Sequence, residues 1–380
     1  MRLTPIPEAG ASQPRATRPA AEPQDRLSQD LLFEVENLKV HFATDDGLVR
    51  AVDGVTFGIP RAKTVCIVGE SGSGKSITGR SLMNLLPHTA RIVDGHVLYH
   101  PEPGRTIDIG KLDPRGKPIR ALRGKDVSFI SQEPMAALSP VHTIGQQMVP
   151  VISRHLKLGR REAAERAAAM LARVGIPKPA ERLDSYPFEF SGGMRQRVCI
   201  ALALSCRPKL VIADEPTTAL DVTTQANILD LLVELQEESG LSILFITHDL
   251  GVVAEVASEV VVMYLGKVVE RGSVEEIFYD PRHPYTRALL KSVPRLGAGR
   301  DTRLAAIRGM VPSPFDRPKG CDFHPRCDFA IAGVCDVTAP QDVALGGSRS
   351  VRCVLPEAIR PPQNVTQNPP AHTQRTLRHG

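Results

Sequence analysis

The 380-residue chain has no tryptophan, and aromatic residues make up only 4% of it. No dense run of lysine and arginine is interleaved with what aromatics there are. The formal charge of +5 is spread over both signs, which reads as solvated surface and argues against a nucleic-acid partner. Long apolar runs are missing too. The stretch Val260–Leu265 falls far short of the roughly 18 residues that a membrane span needs, and the first residues hold no apolar segment of signal-peptide type. The expectation is a cytosolic chain, or one that meets a membrane only through a partner. Cysteine is scarce, with seven in all, yet four of them gather at Cys321, Cys327, Cys335 and Cys353.

What is present is an ordinary globular balance, 42% hydrophobic and 23% charged, enough for one large or two ordinary domains. Residues 1–28 and 356–380 are rich in Pro, Gln and Arg without periodicity and read as flexible ends. From Leu31 to Leu241, short β-branched runs alternate with helical patterns, which predicts an α/β fold around a mainly parallel sheet.

One junction carries the chemistry. "TVCIV" (64–68) reads as a buried strand, "GESGSGKS" (69–76) follows at once, and "ITGRSLMNLL" reads as a helix up to Pro87. This is G-x-x-x-x-G-K-S in the strand–loop–helix setting that distinguishes a P-loop from a glycine-rich turn. Gly69, Gly72 and Gly74 let the backbone curl, so that the N–H groups of the loop, Glu70, Ser71 and Ser73 included, can face phosphate oxygens. Lys75 would reach the β- and γ-phosphates, and the Ser76 hydroxyl would ligate Mg²⁺. "KLVIADEP" (209–216) adds an apolar strand that ends in Asp214, placed to hold Mg²⁺, and Glu215, placed to polarise the attacking water. "FSGGMRQRV" (190–198) sets Ser191, Gly192 and Gly193 at the start of an apolar helix, a second dipole-assisted anion site.

These motifs resemble the nucleotide-binding subunits of ABC transporters over nearly the whole ordered chain. "FSGGM" is similar to the family signature Leu-Ser-Gly-Gly-Gln, with Phe190 and Met194 as departures. The resemblance implies a P-loop NTPase of ABC type with a helical subdomain at about 134–190, the whole ATPase domain spanning 29–280. It implies two such domains paired head to tail, each signature facing the partner's P-loop across ATP. It also implies roles for single residues. Gln132 in "ISQEP" would sense Mg²⁺, Asp221 in "TTALD" would lie near the dimer interface, His248 closing "LSILFITHD" would contact the γ-phosphate, and Phe42 closing "LKVHF" would stack on adenine. "PRHPYTRALL" (281–290) is similar to the His-Pro-Tyr-Thr element of oligopeptide and dipeptide importers; physically it is a Pro-broken turn leading into a helix.

That likeness implies import of di- or oligopeptides, with two membrane permease subunits, a second ATPase subunit and, indirectly, an extracytoplasmic solute-binding protein as partners, at the cytoplasmic face of the bacterial inner membrane. Nickel or another small solute is the alternative cargo. A soluble ABC ATPase acting on nucleic acid or ribosomes is the alternative class, and a redox-sensing role for the cysteines is a third.

Cys66, Cys199 and Cys206 read as small core residues. The other four form a C-terminal extension (281–355) with gaps of five, seven and seventeen residues. A reducing compartment argues against disulfides, and neither the common zinc knuckles nor the common ferredoxin spacings match. Spacing supports four thiolate ligands of one centre and leaves the metal open. The resemblance names a 4Fe–4S cluster, with Zn²⁺ as the alternative, and His283 and His324 as possible substitute ligands.

Overall fold

The computed structural model describes residues 30–133, 137–217, 220–292 and 307–354; the expected flexible ends lie outside them. Two sheets organise the chain. The first is antiparallel, in the order β2-β1-β4-β5, built from β1 (Leu31–Thr44), β2 (Gly47–Pro60), β4 (Ala90–Glu102) and β5 (Arg105–Asp108). Its presence corrects the expectation of a mainly parallel arrangement from Leu31 onward. β1 and β2 are joined by the two-residue turn Asp45–Asp46, too short for a parallel crossover.

The second sheet has the order β11-β12-β10-β9-β3-β8-β7-β6. Its parallel part is β6 (Val127–Ile130), β7 (Leu210–Asp214), β8 (Ser242–Ile246), β3 (Thr64–Val68) and β9 (Glu259–Tyr264). β10 (Lys267–Ser273) then turns back antiparallel, and the hairpin β11 (Asp342–Gly346) and β12 (Arg349–Arg352) completes that edge.

The parallel strands read as continuous apolar runs because both faces are covered. Their alternate residues enter different cores. Cys66, Val68, Val211, Ala213, Ile243, Phe245, Val260 and Val262 face the core that includes the helical segments. Val65, Ile67, Leu210, Ile212, Leu244, Ile246, Val261 and Met263 face the core shared with the antiparallel sheet. Each buried aliphatic side chain contributes about 1.5–3 kcal/mol. A one-residue slip would therefore exchange both sets at once, and the register is fixed.

The helical insert comprises Ile144–Leu156, Arg160–Arg173 and Pro179–Arg182. The first is opened by a Thr143–Gln146 capping box, and the second stops just before Gly175 at φ 72°. Pro134–Ala136 of the insert lie outside the described residues. The helix after the P-loop is shorter than expected, Lys75–Ser81 rather than up to Pro87. The Ser81 hydroxyl donates back to the Ile77 carbonyl, and Asn84 takes a left-handed conformation at φ 49° that closes the turn.

The extension packs into the main body of the chain. Tyr285 and Phe323 are fully buried in the main helical-side core, and Cys321 and Cys327 pack against it.

Candidate functional site

The P-loop leaves the carboxyl end of β3, Asp214 closes β7, Gln132 follows β6, and His248 follows β8. Loops at the carboxyl ends of neighbouring parallel strands converge by topology, and ligands of open α/β sheets bind there. A cavity of about 610 Å³ opens at this edge, lined by Ser71, Gly72, Ser73, Gly74, Lys75, Ser76 and Ile77 of the loop and helix, with Gln132, Glu215, His248 and Ala51.

The loop's glycines are needed for packing as well as for phosphate approach. A Cβ on Gly69 (φ 150°) would stand 2.2 Å from the Met263 carbonyl oxygen, and one on Gly74 (φ 97°) 2.4 Å from that of Ala51. Lys75 is buried, and its ammonium donates to the carbonyls of Gly69 at 2.7 Å and Glu70 at 2.9 Å. Burial holds its pKa below the ordinary lysine value, against the pull of Glu215, Asp214 and Glu70. The Ser73 hydroxyl is 3% exposed and has no hydrogen-bond partner among the described residues. The Lys75 ammonium on the cavity wall, desolvated and held by two backbone carbonyls, suits a phosphate oxygen.

The acidic pair divides its work. Asp214 is 2% exposed and accepts from the Ser76 hydroxyl at 2.9 Å. Burial pushes its carboxyl above the ordinary aspartate range, although the Ser76 hydrogen bond and Arg80 oppose this. A cation beside Ser76 would relieve that cost, so the Ser76–Asp214 pair suits Mg²⁺. Glu215 takes the next position with a left-handed backbone, φ 47°, a conformation uncommon for a residue with a side chain and one that concentrates at functional sites. Its backbone N–H is held by the Ile246 carbonyl at 2.8 Å. Its carboxylate accepts from Gln132 Nε2 at 2.9 Å and faces His248 Nδ1 at 3.0 Å. Three residues from three different strand ends thus meet at one carboxylate.

Other expected site residues lie elsewhere. Gly69 and Asp214 sit behind the lining. Glu70 turns its backbone N–H to the Tyr285 hydroxyl at 2.8 Å and its carboxylate to Arg326, away from the cavity. Phe42 is half-buried against the antiparallel-sheet core and does not line the cavity. Ser191, Gly192 and Gly193 begin the helix Gly192–Leu204, where the Ser191 hydroxyl caps by accepting from Met194 N–H. Ser191 and Gly192 are exposed, and none of the three reaches the cavity of its own chain. Asp221 caps the helix Val222–Ser239, accepting from the Thr224 N–H at 2.9 Å and hydroxyl at 2.8 Å, and those bonds lower its pKa. Thr218 and Ala219 of the same loop lie outside the described residues.

The four extension cysteines do meet. Cys321, Cys327, Cys335 and Cys353 line one small cavity with His283, Pro284, Phe323, His324, Phe329 and Val354. None is in a disulfide. Burial pushes the Cys327 thiol up to about 11, with Cys321, Cys353 and Cys335 adding to it. Each of the two histidines has its Nδ1 engaged. His283 Nδ1 accepts from the Tyr285 N–H at 3.1 Å as a helix cap, and burial drives its pKa down to about 3. His324 Nδ1 contacts the Cys321 carbonyl at 2.9 Å. Among the described residues no group of three or more His, Cys, Asp or Glu is placed to hold a metal ion. The thiols are therefore not arranged as a preformed single-ion site, in which four ligands would stand about 2.3 Å from one point.

Sequence reasoning missed Tyr285 and Arg326. The Pro-Tyr-Thr run was visible, but only as a marker.

Comparison with known proteins agrees with this geometry. Residues 52–218 match the family model described as "ABC transporter", and residues 269–335 match "Oligopeptide/dipeptide transporter, C-terminal region". The chain is 47% identical over 325 residues to the dipeptide transport ATP-binding protein of Bacillus subtilis, covering 85% of this chain and 94% of that protein. It is 43% identical over 332 residues to that of Escherichia coli, covering 87% and 99%. Among solved structures, a dimeric post-hydrolysis ATP-binding cassette bound to ADP and Pi superposes with a TM-score of 0.57 at 25% identity, covering 64% of this chain and 98% of that one.

Proposed function

The chain belongs to the ATP-binding proteins of ABC transporters, in the branch with the oligopeptide/dipeptide C-terminal region, and on that premise we propose that it powers uptake of di- or oligopeptides by hydrolysing MgATP in the cavity at the carboxyl edge of the parallel sheet. The observation that carries the reading is the meeting of Gln132, Glu215 and His248 opposite the P-loop lysine.

The chemistry follows from the positions. Lys75 neutralises the β- and γ-phosphates, and Ser76 with Asp214 holds Mg²⁺, which supplies charge stabilisation when bound. Glu215 polarises the water that attacks the γ-phosphate in line, while Gln132 and His248 hold that carboxylate in place. Phosphoryl transfer asks little covalent chemistry of the protein, so positioning and electrostatics account for the rate.

The exposed Ser191–Gly193 helix start supports pairing with a second cassette, identical or related, whose P-loop it would face. Asp221 then lies near that interface, and Phe42 is the proposed adenine contact. Among the described residues no helix is long and apolar enough to cross a membrane. In the proposed assembly, separate permease subunits carry the coupling, the chain is peripheral at the cytoplasmic face, and a solute-binding protein delivers cargo. The matched extension favours this reading over nickel transport and over a ribosome- or nucleic-acid-directed ATPase.

For the cysteines, the donor set is four soft thiols round one small cavity, which supports an iron–sulfur centre or a zinc ion; of the two, the cluster is proposed. A 4Fe–4S cluster held by Cys321, Cys327, Cys335 and Cys353 would fasten the extension's loops.

The test is ATPase activity of the chain reconstituted with its permease subunits and binding protein in liposomes. Stimulation by di- or oligopeptides, with uptake, is expected. Stimulation by nickel alone, or by nucleic acid, would overturn the cargo assignment.

A further inference from the structure

Every polar atom of Glu70, the second residue of the phosphate loop, is engaged. Its N–H donates to the Tyr285 hydroxyl at 2.8 Å. Its carboxylate takes both arms of the Arg326 guanidinium, at 2.7 and 2.9 Å. Its carbonyl accepts from Lys75 Nζ at 2.9 Å and from the Ser73 N–H at 3.2 Å.

The Tyr285 contact has a geometric consequence. In a trans peptide the N–H of one residue and the C=O of the residue before it point in opposite directions. Holding the Glu70 N–H outward therefore turns the Gly69 carbonyl inward, where it meets Lys75 Nζ at 2.7 Å. Tyr285 and the catalytic-site lysine bracket one peptide unit.

Both extension residues are buried and closely packed. The Tyr285 ring lies 4.8 Å from that of Tyr264 and 5.4 Å from that of Phe323, centroid to centroid. Arg326 is 5% exposed; its Nε donates to the Arg308 carbonyl at 3.0 Å, and its guanidinium lies 5.8 Å above the Tyr264 ring. A further tether reaches the cavity lining beside Gly74. Arg317 pairs with Asp53 at 3.2 Å and donates to the Arg50 carbonyl, next to the cavity-lining Ala51.

We propose that Tyr285 and Arg326 are positioning residues of the nucleotide site: the extension clamps Glu70 and thereby presets the phosphate loop for MgATP. The clamp touches the loop and none of the reacting atoms, so its expected effect is on affinity more than on turnover. The inference rests on MgATP being the cavity's ligand.

The test uses the full-length chain, with MgATP affinity by calorimetric titration, steady-state ATPase kinetics and thermal melting. Tyr285→Phe keeps the ring packing and deletes only the acceptor. It is expected to raise Kd and KM together by roughly three- to tenfold, with kcat within about twofold. Arg326→Gln should act in the same direction, and Arg326→Lys, which keeps the charge but not the planar fork, should be milder. Glu70→Gln with Arg326→Gln should be little worse than either alone, because both break one pair. Asp342→Asn, which breaks the extension's Arg352 ion pair at 2.6 Å away from the loop, should leave affinity unchanged. Wild-type affinity in Tyr285→Phe and Arg326→Gln, or an equal loss in Asp342→Asn, would overturn the clamp. Failure of the wild-type chain to bind MgATP would instead sink the ATPase reading itself.

Discussion

Glu215→Gln separates the two things that this side chain does. The carboxylate accepts from Gln132 Nε2 at 2.9 Å and faces His248 Nδ1 at 3.0 Å. A glutamine can turn its oxygen to Gln132 and its amide nitrogen to His248, whose ring nitrogen accepts in the other tautomer. The local cost is then about one charge-assisted bond exchanged for a neutral one, roughly 1 kcal/mol, and the fold and MgATP affinity should survive. What is lost is the group that polarises water. General-base deletion costs about 10²–10⁴ in rate, or about 2.7–5.4 kcal/mol of barrier at 1.36 kcal/mol per decade. Phosphate release at saturating MgATP is the assay, with equilibrium binding alongside. A variant that keeps more than about a tenth of wild-type kcat would refute the assignment of Glu215, and one that loses both turnover and binding would show that the carboxylate builds the cavity instead.

Ser76→Ala leaves the buried Asp214 without its 2.9 Å donor. It should lower stability by about 1–3 kcal/mol and shrink the rise in melting temperature that MgATP gives the wild-type chain. His283 is neutral when folded, its pKa lowered to about 3 against an ordinary 6.5. Below pH 6.5 the unfolded chain takes up a proton that the folded one refuses. The ring's contribution is therefore intact above pH 6.5 and is lost as pH falls toward 3, by about 1.4 kcal/mol per unit. His283→Asn, which can still cap the helix, should flatten the difference in melting temperature between pH 6.5 and 4.5. Anaerobically purified chain should carry about four irons and four sulfides on Cys321, Cys327, Cys335 and Cys353; stoichiometric zinc without iron would contradict the cluster.

The phosphate loop, Asp214 and Glu215 were legible in the sequence because each is tied to the end of an apolar strand, whereas Gln132 and His248 came only with the family resemblance. In a parallel sheet, strand ends on one edge meet whatever the loops between them do. The backbone turn that aims Glu215, at φ 47°, was not legible, since nothing about a glutamate after an aspartate signals a left-handed conformation. The antiparallel sheet was hidden for another reason. Its half-buried strands carry β-branched residues as the fully buried parallel strands do, and only the two-residue turn Asp45–Asp46 betrays their direction. The contacts of Glu70 with Tyr285 and Arg326 span 215 and 256 residues, beyond the reach of any local pattern. For the signature residues, sequence order suggested an anion site but could not say whose phosphate it faces. Their exposure, outside the chain's own cavity, is what supports the proposed pairing with a second cassette.

The extension's place in the sheet explains how so distant a segment reaches the phosphate loop. β12 pairs with β10, which carries Glu270, a fully buried carboxylate whose pKa burial raises. Glu270 accepts from the backbone N–H groups of Arg282 at 2.6 Å and His283 at 2.8 Å. These bonds fix the entry to the helix Pro284–Lys291, where Pro284 suits the first helical position and His283 supplies the cap. Arg349 of β12 adds contacts to Asp280 at 3.1 Å and, more distantly, to Glu270 at 3.9 Å. Tyr285 is thus aimed by a chain of buried polar contacts that runs from the sheet edge to the P-loop. A buried carboxylate with its hydrogen bonds satisfied costs little; the same carboxylate with its partners displaced costs several kcal/mol. A substitution at Glu270 would therefore be felt at the phosphate loop, although Glu270 does not line the cavity.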